Sequence, residues 1–222
     1  NNLRPLPSKN IDTGMGLERT AAVLQGVESN FHIDIIRPIV EAAADICGVK
    51  YDPASDLGRR LRSIADHIRA CTFAIHENVT PSPNKQGYVI RRLIRRAVLD
   101  GHRMGVREPF FHKLVPVVAE MMKNPYPELR ETIPRVTAVL KGEEENFFGV
   151  LETGLERIER LFEEMRRTGR GVVSGTEAAE LYQTYGFPPE LLETLAAERN
   201  YAFDWEGYRR EMERHGIESG AG

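Results

Sequence analysis

Apolar residues at steps of three and four run through two long stretches of this chain, and that spacing leaves little room for anything but helices. Leu57, Leu61, Ile64, Ile68, Cys71 and Ile75 form one stripe. Val136, Leu140, Phe147, Leu151, Leu155, Ile158, Phe162 and Met165 form another, along a helix expected from about Ile133 to Arg167. Residues so spaced share one helix face, and each face needs neighbours to bury it. Further helices are expected over Leu17 to Gly26, Ile33 to Cys47, Tyr88 to Met104, Pro109 to Met122, Gly175 to Tyr185, Pro189 to Arg199 and Asp204 to His215. Gly26 and Gly48 supply stops, Asn124-Pro125-Tyr126-Pro127 a break, and Pro81 to Gly87 a loop. Before them, Pro5 and Pro7 give an extended lead-in, and Lys9 to Thr13 reads as a short strand ending in Gly14-Met15-Gly16. The expected fold is mainly α, all-helical after a strand–turn–helix at the start.

With 41% apolar and 28% charged residues, the 222-residue chain has the makings of a packed core rather than a disordered one. No apolar run approaches the roughly 18–20 residues of a membrane span. The two cysteines, Cys47 and Cys71, cannot build a disulfide framework and point to a reducing cytoplasm. The six histidines are scattered, without metal-ligand spacing. The chain starts without methionine and stops in Ser219-Gly220-Ala221-Gly222, as a piece of a longer protein would.

A net charge of −3 suggests no polyanion partner, but its distribution does. Lys85, Arg91, Arg92, Arg95, Arg96, Arg103 and Arg107 face a single acid, Asp100, within one segment. On a helical wheel Val89, Ile90, Leu93, Ile94, Ala97 and Val98 take one half, and Arg91, Arg92, Arg95, Arg96, His102 and Arg103 the other. Guanidinium forks match phosphate oxygens. Two explanations stay open: a face gripping a polyanion, with Asn84 and Lys85 reaching a groove, or a face paired with the acidic long helix.

Asp12-Thr13-Gly14-Met15-Gly16-Leu17-Glu18-Arg19 lies at a strand-to-helix junction. Its glycines let the backbone approach a ligand, and the following helix aims free N–H groups there. Asp12 suits an ammonium group and Arg19 a phosphate, but two glycines around one residue also make a plain turn.

The stretch Asn10 to Gly26, NIDTGMGLERTAAVLQG, resembles the third class-defining motif of class II aminoacyl-tRNA synthetases, in its alanine-specific form. The resemblance continues in order through Ser29-Asn30-Phe31, Ala65-Asp66-His67-Ile68-Arg69, Gly87 to Ala97, Glu143-Glu144-Glu145 and LYQTYGFP at Leu181 to Pro188. It implies an alanine–tRNA ligase, with residues 1–30 ending its aminoacylation domain and 31–222 forming a helical acceptor-stem recognition domain. On it Asp12 and Gly14 would meet alanine. Gly16 and Arg19 would meet ATP, Arg19 being the catalytic group on the triphosphate. Asn84, Lys85, Arg91, Arg92, Arg95, Arg96 and Gln183 would meet tRNA. Thr13 and Met15 would be turn and packing residues, and Glu18 a cap or pairing group. Magnesium is expected with ATP in the whole enzyme, and zinc only in a downstream region not in this chain. The first two class motifs are also missing, so the chain alone is expected not to form alanyl-adenylate. A non-catalytic tRNA-binding paralogue is the alternative.

Two positions depart from the family. It reads a G·U wobble pair with an asparagine in the loop before Gly-Tyr-Val and an aspartate in the last block. Here Pro83 stands for the asparagine, with Asn84 one residue later, and Gln183 for the aspartate. Glutamine both donates and accepts, whereas a carboxylate only accepts. A different or less strict reading of the pair is expected.

Overall fold

The structure, a computed structural model, describes residues 7–219. The lead-in expected through Pro5 and the tail from Gly220 therefore lie outside the described residues. Among those described, nine α-helices follow one another: α1 (Leu17–Gln25), α2 (Arg37–Cys47), α3 (Asp56–His76), α4 (Lys85–Arg103), α5 (Val115–Met121), α6 (Leu129–Thr168), α7 (Gly175–Tyr185), α8 (Pro189–Ala197) and α9 (Trp205–Ser219).

The two apolar stripes decide the packing. On α3, Leu61, Ile64, Ile68, Cys71 and Ile75 are fully buried, because α2, α4, α5 and α6 all pack against this helix, whereas Leu57 in its first turn is 39% exposed. Ser55 starts it by accepting the Gly58 N–H at 2.9 Å. The α6 stripe is buried from Val136 to Met165 with only Leu155 partly open, and α4, α5 and α7 cover it along its length. Each buried aliphatic side chain contributes roughly 1.5–3 kcal/mol relative to exposure. Repulsion between arginines one turn apart costs only about 0.2–0.5 kcal/mol a pair. Burial of Ile90, Ile94, Ala97 and Val98 therefore holds α4 helical despite its charge run.

Several elements differ from the expectation. Residues 9–16 form no strand; they run as exposed, irregular backbone, because no described segment supplies a hydrogen-bonding partner there. Nor is the remainder all-helical. Val172–Val173 (β1) and Ala202–Phe203 (β2) pair in parallel, and two residues are too few to show a period. The helix expected from Ile33 begins at Arg37, with Pro38 in its first turn, after a 3₁₀ turn at Asn30–His32. The one expected from Pro109 divides into a 3₁₀ turn, Phe111–Leu114, and α5. Helix α6 starts a turn before the expected Ile133 and carries Pro134 within it.

Candidate nucleic-acid interface

The loop ahead of α4 folds back on that helix because position 87 is glycine. A Cβ there would stand 2.2 Å from Ser82 Oγ and 2.5 Å from the Thr80 carbonyl oxygen. Asn84 begins the helix without capping it, and Lys85 sits at φ 51°, a left-handed conformation that costs a lysine about 1–3 kcal/mol. Both side chains are exposed.

The four arginines that follow do not share one environment. Arg95 is buried, 3% exposed, and stacks its guanidinium over the Phe147 ring at 4.9 Å. Its Nε donates to Glu143 Oε1 at 2.7 Å and its Nη1 donates to the Gly186 carbonyl. Gly186, at φ 58°, closes α7, so Arg95 ties α4 to both α6 and the α7–α8 turn. Arg91 donates to the same Glu143 oxygen at 3.2 Å. Arg92 reaches Glu190 at 2.9 Å, beside the Tyr88 hydroxyl, which donates to that carboxylate at 3.0 Å. Burial first, then the Glu190 charge, raises the Tyr88 pKa and keeps it a donor. Arg96 is exposed and makes no hydrogen bond or ion pair among the described residues. Of the two explanations the charge run left open, pairing with carboxylates accounts for Arg91, Arg92 and Arg95, and the long helix α6 supplies one of the two acids.

Pairing does not seal this flank. An open groove runs between α4, α6 and α7, lined by Pro83, Arg91, Arg95, Asn146, Tyr182, Gln183 and Thr184 among others. It gathers the proline loop and Gln183, a hundred positions apart in sequence. Gln183 is exposed, and its amide touches only Met212 Sδ, a weak contact at 3.8 Å.

Asp12, Gly14, Gly16 and Arg19 lie together in the N-terminal stretch, and all are exposed. A Cβ at Gly14 would meet nothing within 4 Å, and one at Gly16 only the Arg19 side chain. The backbone is thus open at these glycines, with no opposing wall. Glu18 pairs with Arg69 at 2.5 Å, which fastens α1 to α3. Gln25 and Asp34 exchange two further hydrogen bonds. Of its side chains α1 buries Ala22 alone, while Ile11, Met15, Leu17, Val23 and Leu24 are each at least 74% exposed.

Sequence reasoning missed what the glutamate run does. Glu143 holds the two arginines, whereas Glu144 is fully buried and accepts the Phe110, Phe111 and His112 N–H groups at 2.7–2.9 Å. His112 Nδ1 lies 2.7 Å from the same carboxylate. Consecutive helix positions point about 100° apart, so three acids in a row signal separate partners. Glu190 carried no comparable signal.

The family model described as tRNA synthetases class II (A) matches residues 1–221. The chain belongs to that family. Among its relatives it is similar to the alanine–tRNA ligase of Rhodopirellula baltica, 60% identical over 221 residues, covering 100% of this chain and 23% of that protein. It is also similar to that of Geobacillus thermodenitrificans, 47% identical over 212 residues, 95% of this chain and 24% of the relative. For that of Streptococcus pyogenes the figures are 43% over 209 residues, 94% and 24%. The chain spans about a quarter of the length of the curated relatives it matches. No described helix is long and apolar enough to cross a membrane.

Proposed function

We propose that this chain is the segment of a cytoplasmic alanine–tRNA ligase that grips the acceptor stem of its tRNA in the groove between α4, α6 and α7. One observation carries the reading: folding brings Pro83, Arg91 and Gln183 to the same groove, and they belong to the sequence blocks whose family counterparts read the stem. Gln183 offers its amide to a base edge, and Arg91 its remaining guanidinium hydrogens to a backbone phosphate. Asn84 and Lys85, exposed at the head of α4, extend the contact, and so does Arg92 through hydrogens that Glu190 does not engage. Arg95 is buried, with its Nε and Nη1 already donating to Glu143 and Gly186, so we assign it to positioning the groove rather than to touching RNA.

Residues 1–30 would close the aminoacylation domain, Asp12 and Gly14 meeting alanine and Gly16 and Arg19 the ATP triphosphate. The bare apolar side chains there suit a surface covered by the rest of that domain. Bound with ATP, magnesium would neutralise phosphate charge; this chain's own contribution would be the Arg19 guanidinium and the open backbone at the glycines.

The direct test is binding of acceptor-stem duplexes. Gln183→Ala should weaken binding by about 1–3 kcal/mol, with the loss confined to one base-pair position. A duplex bound equally well by Gln183→Ala at every sequence would remove the groove from the interface. With Gln183 and Pro83 in place, G·U and G·C stems should be charged by the full-length enzyme at closer rates than the family pattern implies; a strong G·U preference would overturn that part. ATP–pyrophosphate exchange by the isolated chain should stay at background.

A further inference from the structure

The opposite flank of α4 holds a second basic cleft, where α3, α4 and α8 meet. Arg59, Arg60, Arg96 and Arg103 line it, over a floor that includes Leu99 and Leu191. Two acids share the cleft, and both are engaged. Asp100 accepts from Arg60 at 2.7 Å, and Glu198 takes Arg103 in a two-pronged pair at 2.9 and 2.7 Å. Arg59 turns to Asp56, beside the cleft. That leaves Arg96 without a hydrogen-bonded carboxylate, although Asp100, already taken by Arg60, is close enough to feel its charge. The hydroxyl of Ser63, also on the wall, has no hydrogen-bond partner among the described residues.

Four guanidinium groups, Arg59, Arg60, Arg96 and Arg103, thus face three carboxylates, Asp56, Asp100 and Glu198, which leaves the cleft one positive charge in excess. The ligand that fits is tetrahedral and carries several acceptor oxygens, to take the Arg96 fork, the spare hydrogens of Arg103 and Arg59, and the Ser63 hydroxyl together. A single carboxylate has too few oxygens for all of these donors. Burial raises the Asp100 pKa, and Arg60, Arg96 and Arg103 each pull it back, so all three guanidinium charges act within this one cleft.

We propose that this cleft is a phosphate-binding site centred on Arg96, separate from the Gln183 groove. As a site for the RNA backbone it rests on the acceptor-stem reading above, and one strand would then pass on this flank of α4. As a site for a free phosphate it stands without that reading.

Two arms of one experiment tell these sources apart. The intact 222-residue chain is titrated with inorganic phosphate, with chloride at matched ionic strength as control, and arginine Nε–H resonances are followed by NMR. Saturable shifts at Arg96 and Arg103 with phosphate alone are expected in the parent, and the Arg103 shift should be lost in Arg96→Gln and kept in Arg96→Lys. Arg96 is exposed, so both variants should melt as the parent does. Absence of such shifts in the parent, or an Arg103 shift that persists in Arg96→Gln, overturns the site. In the second arm a stem duplex is bound over a range of salt. Arg96→Gln should lower the slope of log affinity against log salt by about 1, the signature of one lost phosphate contact. Phosphate shifts with an unchanged slope would assign the site to a free anion. A parent chain that binds no duplex would sink the acceptor-stem reading and leave the phosphate result to decide the site.

Discussion

On the α6–α7 flank of α4 both arginines are neutralised, whereas on the α3–α8 flank Arg92 is and Arg96 is not, although the four residues occupy six consecutive positions. Arg91 and Arg95 meet Glu143, and Arg92 meets Glu190, whereas Arg96 makes no ion pair in a cleft whose Asp100 is already taken by Arg60. What a charge run does is thus set by the carboxylates brought up to it, which come from elements tens of residues away. Burial separates the flanks too: the Arg95 side chain is 4% exposed, so its charge must be paired, and Arg96 keeps its water.

The sharpest way to break the contrast is to empty the neutralised flank. Glu143→Ala strands the buried Arg95 guanidinium and should destabilise the chain by about 3–5 kcal/mol in urea unfolding. A loss below about 1 kcal/mol would mean that Arg95 finds another partner or leaves the core. The next effect lies on the other flank and follows pH. His67 is held neutral, its pKa down at about 4, chiefly by burial and then by the Arg96 charge, with Asp66 opposing and Arg92 adding a smaller push. Its folded pKa lies below the unfolded value, so the unfolded chain binds the extra proton and stability falls as pH drops from about 6.5 towards 4. Allowing for partial exposure, about 2–3 kcal/mol should go over that window. His67→Gln should flatten this dependence, and an equally steep profile in the variant would place the titrating group elsewhere. Arg96→Gln removes one repulsive charge and should shift the midpoint of that profile upward, away from pH 4.

Smaller again is Tyr88→Phe, which takes one hydroxyl from Glu190 and should cost about 1 kcal/mol. Arg96→Gln by itself should change stability at pH 7 by no more than about 0.5 kcal/mol, as an exposed side chain without a partner does. Measured side by side, Glu143→Ala and Arg96→Gln give the flank difference as one number. Near-equal values would erase it.

The helical body was legible because its stripes are long: the α3 stripe from Leu61 to Ile75 and the α6 stripe from Val136 to Met165 are the buried sides of those helices. Parts of the candidate interface were legible as well. Pro83, Asn84 and Gln183 were singled out from their sequence blocks, and Pro83 and Gln183 do line one groove. The wheel, however, put Arg95 with its charged neighbours and Val89 with the apolar set, yet Arg95 is in the core and Val89 is 43% exposed. A two-sided wheel assumes one buried face, whereas α4 is packed from several directions. The strand expected at Lys9 to Thr13 failed for a different reason, since a strand is completed by a partner outside its own sequence.

Sequence alone therefore determined most of the helices, the apolar faces of α3 and α6, and the family, because periodicity and ordered motifs are local properties that survive without neighbours. Only the tertiary structure decided which arginine is paired, which glutamate is buried and which loop faces Gln183. Those outcomes are contacts between distant segments, and a charge is neutralised only by a group within a few ångströms, a distance that chain order does not record.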